Sequence, residues 1–174
     1  MSMAAVDIVK LPAELPAESV EVLVDSREQL PWALSPLRTR EGSLQTGDYC
    51  LSAAPNALRI ERKSLDDYLA CCGVERERFT REMERMLAFP CRVLVIESSW
   101  GVLSTGGWRS KITPASVVGT TVGWLEMGIQ VVLAGDRMHA EDFAKRLLYL
   151  AARRRWREAR GFVAAMSGEG KSDE

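Results

Sequence analysis

The runs Arg92–Ile96 and Ile129–Leu133 are continuous apolar stretches of the kind found in strands covered on both faces. A sheet containing such strands needs helices on either side, and the rest of the chain supplies them. Val20–Val24 is a short β-rich run ending at Asp25. Tyr49–Ser52 and Leu58–Arg62 read as a hairpin pair bridged by the turn-forming Ala54-Pro55-Asn56. Leu65, Tyr68, Leu69 and Cys72 fall at helical spacing as far as Gly73, and Phe79, Met83, Met86 and Leu87 resume it until Pro90. Thr113-Pro114 starts a helix that runs to about Glu126, and a last helix turns Phe143, Leu147, Leu148 and Ala151 inward. Five candidate strands with these helices predict an α/β domain of three layers, α/β/α, around a central mixed sheet.

With 174 residues and 47% apolar side chains, the chain can bury one sizeable core. Residues 1–19, with Pro12, Pro16 and scattered charges, read as a flexible tail, and so do residues 167–174, leaving a domain at 20–166. No run approaches the roughly 18 apolar residues of a membrane span, and the start lacks the basic-then-apolar order of a secretory signal. A soluble intracellular protein without a membrane partner is expected.

Cys50, Cys71, Cys72 and Cys91 have no paired spacing, and one histidine, His139, is too few for a zinc site. The cysteines read as thiols in a reducing compartment. Histidine-based nucleases and Ser/His/Asp hydrolases would all have to rest on His139, which sits beside Ala140, Glu141 and Asp142 in the opening turn of a helix, a structural or solvent-facing place.

The net charge of −1 looks unfavourable for a nucleic-acid partner, but it is unevenly distributed. Without residues 1–21 and 169–174, the centre holds 21 basic against 17 acidic residues, a net of +4. Metal bound by some of those acids makes the surface more attractive still to phosphate.

The chemistry concentrates in Asp25-Ser26-Arg27-Glu28, in Gly47-Asp48-Tyr49 and in Ile60-Glu61-Arg62-Lys63-Ser64. Three acids and a lysine are thus placed at or near strand ends. Residues i and i+2 of a strand share a face, so Glu61 and Lys63 project side by side while Arg62 points away. Carboxylates from separate strands suit Mg2+ (or Mn2+), which prefers hard oxygen donors and keeps several waters. Asp25, Asp48 and Glu61 are the candidate metal ligands. Lys63 beside them can orient or help deprotonate an attacking water, or offset charge on a phosphorane. Hydrolysis of a phosphodiester needs these two provisions.

An aspartate followed by a strand bearing Glu-x-Lys resembles the PD-(D/E)xK nucleases. The longer pattern, Gly47-Asp48 and then Glu61-Arg62-Lys63-Ser64-Leu65-Asp66-Asp67, preceded by Val24-Asp25-Ser26-Arg27-Glu28, resembles the XPF-type structure-specific endonucleases. Arg78-Phe79 followed by Glu82 is similar to that family's next helix, and Val93–Glu97 to its next buried strand. The resemblance implies a restriction-endonuclease-like fold and a metal-dependent DNA endonuclease acting on branched or junction DNA. It gives Asp48, Glu61, Lys63, Asp25 and Arg62 catalytic roles, and it makes a homodimer or a partner protein plausible. The family usually has glutamine where Glu82 stands. Tandem helix-hairpin-helix modules and a helicase domain, often found in the family, have no counterpart in these 174 residues, which leaves fork or flap specificity without a carrier. A catalytically inactive nuclease-fold scaffold that binds DNA, and a restriction-like cutter of specific duplex sequences, are the alternatives.

Other residues carry two readings each. Arg62 reaches DNA phosphate from the far face of the sheet, or pairs with an acid such as Asp66. Arg27 and Glu28 form a structural pair behind Asp25, or support the metal from behind its ligands. Asp67 supports the site, or closes a capping box with Ser64, the favoured reading. Glu97 joins the site, or is a solvated strand end, which is favoured. Arg76, Arg78, Arg81 and Arg85, interleaved with acids, form a salt-bridged face from which Arg78 alone is set apart, by the resemblance. Arg153, Arg154 and Arg155, with Trp156 to stack on a base, form a phosphate patch or simply a basic helix end. The glycine-containing loop Ser98–Lys111 is long enough to contact substrate.

Overall fold

The computed structural model describes residues 11–167. Six strands form one mixed sheet in the order β2-β1-β3-β4-β5-β6. They are β1 (Glu21–Asp25), β2 (Arg38–Gly42), β3 (Tyr49–Leu51), β4 (Arg59–Lys63), β5 (Arg92–Ile96) and β6 (Gln130–Leu133). β3 runs antiparallel to both of its neighbours, whereas β1 with β2, and β4 with β5 and β6, are parallel. Five strands were expected, and β2 is the sixth. Its residues are polar and nearly all exposed, so no apolar pattern marks it.

Among the described residues the five α-helices are α1 (Leu65–Cys72), α2 (Arg76–Met86), α3 (Trp100–Thr105), α4 (Pro114–Met127) and α5 (Arg137–Met166). Alternation along β5 divides the core between them. Val93 and Val95 belong to a cluster with Ile60, Tyr49 and the α5 residues Ala140, Ala144 and Leu148. Leu94 and Ile96 pack instead with Tyr68, Phe79, Met83 and Trp124 from α1, α2 and α4. One long helix therefore covers one face and four shorter helices the other, which is the α/β/α arrangement expected. Each strand buried on both sides removes apolar area from water at roughly 25 cal/mol per Å². That is why β5 had to be apolar at successive positions.

Local signals fix the helix starts. Ser64, Ser99, Thr113 and Asp136 each accept a hydrogen bond from a first-turn backbone amide. Asp136 also holds the His139 ring at 2.9 Å, so the single histidine is a helix-start residue. The stretch expected to be a loop at Ser98–Lys111 contains α3, whose cap at Ser99 was hidden among glycines.

Residues 11–19, assigned from sequence to a loose tail, lie along α5. Tyr149 Oη donates to the Leu15 carbonyl at 3.0 Å, Trp156 Nε1 to that of Pro12 at 3.3 Å, and Arg160 to that of Ala13 at 2.6 Å. The tails read at residues 1–10 and 168–174 fall outside the described residues. Among the described residues no helix is long and apolar enough to cross a membrane.

Candidate active site

Three backbone contacts bring the separate sequence blocks together. The Asp25 amide donates to the Asp48 carbonyl at 2.8 Å, the Asp48 amide to the Ile60 carbonyl at 2.7 Å, and the Arg62 amide to Asp48 Oδ2 at 2.7 Å. Gly47 makes the approach possible. Its φ of +71° is left-handed, and a Cβ there would lie 2.4 Å from Arg59 Cγ. Asp48 is thereby set beside the C-terminal half of β4, at the mouth of an open cleft of about 540 Å³.

Alternation along β4 does what the sequence predicted. Glu61 and Lys63 turn into the cleft on the side of α1 and α2, and Arg62 turns to the face covered by α5. Glu61 is 1% exposed. Its Oε1 accepts the Lys63 ammonium, while Oε2 has no hydrogen-bond partner. Lys63 also donates to the Arg62 carbonyl at 3.2 Å and sits 5.3 Å from the centre of the Phe79 ring.

Burial pushes the Asp48 carboxyl up to about 6, against the pull of Lys63. Burial, and then the nearby Asp48 charge, push Glu61 up to about 8. Glu82 raises both through its own charge. Burial alone would lower Lys63, but the charges of Glu61 and Asp48 outweigh it and hold the amine above its ordinary value. Lys63 is therefore an ammonium at neutral pH, a proton holder and charge donor rather than a free base.

Asp25 does not join this pair. Its Oδ1 accepts from the Arg27 amide at 2.9 Å and Arg27 Nε at 2.8 Å, and its Oδ2 from Arg27 Nη2 at 3.1 Å and the Leu44 amide at 2.7 Å. All four of its lone-pair directions are used. Burial raises its carboxyl, but the Arg27 side chain and the two amides outweigh this and hold it below the usual range. The expected three-acid set of Asp25, Asp48 and Glu61 is thus not assembled. Among the described residues no three acidic, histidine or cysteine side chains converge as a ready ligand set.

Arg62, expected to be catalytic or to touch DNA, is a buried strut, with its side chain 9% exposed. It donates to Glu97 at 2.7 and 3.1 Å and to Glu28 at 3.1 Å. Glu97 in turn accepts from Trp32 Nε1 at 2.8 Å, and Trp32 stacks on Tyr49 with centroids 4.7 Å apart. Glu97 is therefore an internal ion-pair partner and not a solvated strand end. Burial raises its carboxyl, but the bonds from Arg62 and Trp32 prevail and lower it. Glu28 belongs to the same network and supports β4 from behind. Asp67 accepts the Ser64 hydroxyl at 2.6 Å while its own amide donates to Ser64 Oγ, so it caps α1 at the rim of the cleft.

Of the basic candidates, Arg27 and Arg78 line the cleft, with side chains 70% and 55% exposed. Arg153, Arg154 and Arg155 lie on the outer half of α5 and line no part of it. Arg154 and Arg155 pair with Glu158, and Trp156 Nε1 donates to the Pro12 carbonyl, which leaves the ring partly exposed. Among the cleft residues not assigned to the site from sequence is Glu82 of α2, which faces the acids. Outside the cleft, Thr46 Oγ1 donates to the Glu82 carbonyl at 3.3 Å, tying α2 to the segment ahead of Asp48. The helical pattern placed Glu82 next to the buried Met83, and this was the available signal.

No protein-family model and no curated protein sequence matches this chain. Solved structures do. XPF from Aeropyrum pernix superposes with a TM-score of 0.61 at 20% identity, over 76% of this chain and 62% of that one. XPF from Aeropyrum pernix in complex with DNA superposes with a TM-score of 0.51 at 16% identity, over 89% of this chain and 68% of that one. The chain therefore spans less than two thirds of the length of the first of these. The α/β fold, with its mixed sheet and flanking helices, is the XPF fold expected from the sequence.

Proposed function

We propose that this chain is a divalent-metal-dependent endonuclease that hydrolyses DNA phosphodiesters, with Asp48, Glu61 and Lys63 at its centre. The observation that carries the reading is the buried, unpartnered Oε2 of Glu61, set beside Asp48 in an open polar cleft. A buried carboxylate oxygen without a donor is costly unless something positive occupies its lone pairs. With Asp48 beside it, Glu61 makes a pair of hard oxygen donors that fits Mg2+ or Mn2+, and Asp48 and Glu61 are the residues that would hold it. Bound there, such an ion supplies charge to offset the phosphorane and lowers the pKa of water.

The chain's own residues do the rest. The Arg62 amide fixes one oxygen of Asp48, leaving the other for the cleft. Lys63, kept as an ammonium, orients a water or a phosphate oxygen by donating to it. Arg27 and Arg78, at the rim, are placed to hold flanking phosphates. The XPF structure solved with DNA shares this fold, which supports DNA as the substrate. Branched or junction DNA is the form proposed, on the resemblance of the Gly47-Asp48 and Glu61–Asp67 blocks.

The test is cleavage of labelled duplex, single-stranded, flap, fork and four-way DNA with Mg2+ or Mn2+, run beside Lys63→Ala and Glu61→Gln. Metal-dependent cutting of branched DNA that disappears in both variants is expected. Cutting that survives in both overturns the assignment. Binding without cutting across the panel makes the chain a nuclease-fold scaffold.

A further inference from the structure

Four charged side chains of the cleft have their partners accounted for, Asp25 by Arg27 and Leu44, Glu28 and Arg62 within the Glu97 network, and Asp67 by Ser64. Glu82 is different. Its side chain is 13% exposed, and among the described residues its one ion pair is a long contact to Arg78 Nη1 at 3.4 Å. Arg78 itself is engaged more closely by Glu75. Phe79, Met83 and Met86 bury the adjoining stripe of α2 against the sheet, and Thr46 holds the Glu82 carbonyl. The helix is thus fixed from two directions with Glu82 at the wall that faces Asp48 and Glu61.

We propose that Glu82 is the third carboxylate of the divalent-cation site, in the place expected for Asp25, and that it acts by accepting a hydrogen bond from a water on the ion. This rests on the metal-dependent reading of the same cleft. Acid clusters are common on surfaces, but this one contains the unpartnered Glu61 Oε2, nine-tenths buried and more, a separate observation that points to a cation as its missing partner. The three acids do not converge closely enough for direct ligation of one ion. A water layer on one side satisfies this geometry, because Mg2+ and Mn2+ in carboxylate sites keep several waters. Carboxylates that hold the waters or ligands of an ion from outside its coordination sphere set its affinity, and losing one costs about tenfold to a hundredfold. Glutamine at position 82 keeps the shape and loses the charge and part of the acceptor capacity.

The experiment is Mn2+ binding to the full chain without DNA, by titration calorimetry and by the electron paramagnetic resonance signal of free Mn2+. Wild type, Glu82→Gln, Glu82→Asp, Arg78→Gln and Glu61→Gln are compared, each with a thermal melt. Glu82→Gln is expected to weaken Mn2+ about tenfold with an unchanged metal-free melt. Glu82→Asp should recover part of the affinity, and Arg78→Gln should not weaken it. Wild-type affinity in Glu82→Gln overturns the proposal, and if Glu61→Gln still abolishes binding the metal site itself stands. Equal losses in Glu82→Gln and Arg78→Gln overturn it too, by showing that Glu82 serves only to place Arg78. Wild-type protein that binds no Mn2+, or binds it as Glu61→Gln does, removes both the site and this inference.

Discussion

The Arg62 guanidinium meets the Glu97 carboxylate through two hydrogen bonds, Nε to Oε1 at 2.7 Å and Nη2 to Oε2 at 3.1 Å, on the sheet face turned away from Glu61. The strand register explains the meeting. β4 and β5 pair Arg62 with Val95 and Lys63 with Ile96, so the next residue, Glu97, emerges beside Arg62 on the same face. Removing the arginine leaves Glu97 and Glu28 with little water and without the cation that pairs with both. Arg62→Met should therefore lower the unfolding free energy by about 3 kcal/mol in urea titration, as expected when one partner of a buried ion pair is lost. The folded variant should keep wild-type Mn2+ affinity, because the bond to Asp48 comes from the main chain at position 62. A loss under about 1 kcal/mol would class the pair with surface salt bridges.

Gly47 makes the second prediction. Gly47→Ala places a Cβ at a left-handed φ and against the buried Arg59 stem, where Arg59 Cδ is also only 2.5 Å away. Strain of this kind costs roughly 1–3 kcal/mol, and relief requires Asp48 to move. Lower thermal stability together with lost Mn2+ binding is expected. A variant that melts and binds metal like wild type would show that the turn tolerates a side chain.

What the sequence showed and what it hid follow from the range of the interactions involved. Arg92–Ile96 was read with the bounds the structure gives, because burial on both faces leaves an unbroken apolar run. β2 was invisible because its strand state comes from pairing with β1 and not from its own polar side chains. In the site, the opposite directions of Glu61 and Arg62 needed only the two-residue period of a strand. The capture of Asp25 by Arg27 depends on how the chain turns after β1, and the Glu97 contact depends on tertiary register, and neither leaves a periodic trace. Glu82 entered the site because tertiary packing sets α2 at the wall of the cleft, which no local pattern states.

Asp25→Asn separates the expected metal ligand from the observed turn residue. One amide oxygen cannot replace two carboxylate oxygens that accept four bonds, and an unmade buried bond costs about 1–3 kcal/mol. The variant should melt earlier and retain Mn2+ affinity in the folded protein. Selective loss of metal binding with an unchanged melt would return Asp25 to the ligand set.

The metal-free protein should become less stable as pH rises through neutrality. Asp48 and Glu61 both have folded-state values above their ordinary 3.8 and 4.5. Each therefore contributes stability that is complete below its ordinary value and is lost as pH climbs through about 6 for Asp48 and about 8 for Glu61. Asp25 and Glu97, both lowered, act oppositely, and their contribution disappears only as acid is added. In the presence of a chelator, unfolding free energy should fall between about pH 5 and about pH 8, and saturating Mg2+ should flatten the profile. A chelated protein whose stability is constant or rises over that interval would show that burial does not hold the two carboxyls above their ordinary values.

Arg27 and Arg78 stand at the rim of the cleft with most or half of their side chains exposed, whereas Arg154 and Arg155 spend charge on Glu158 well along α5. Phosphate contacts are long-range in effect but local in position, and only cations along the path of the backbone release counterions on binding. Arg27→Gln and Arg78→Gln should each weaken DNA binding across all sequences and reduce the slope of log affinity against log salt by about one. Arg154→Gln should leave both nearly unchanged. Arg27 carries a second consequence, since it also holds Asp25, so its variant should lose thermal stability while Arg78→Gln does not. If Arg154→Gln lowers the salt slope as much as Arg27→Gln does, the DNA path runs along α5, and the cleft rim is not what guides the backbone to Asp48 and Glu61.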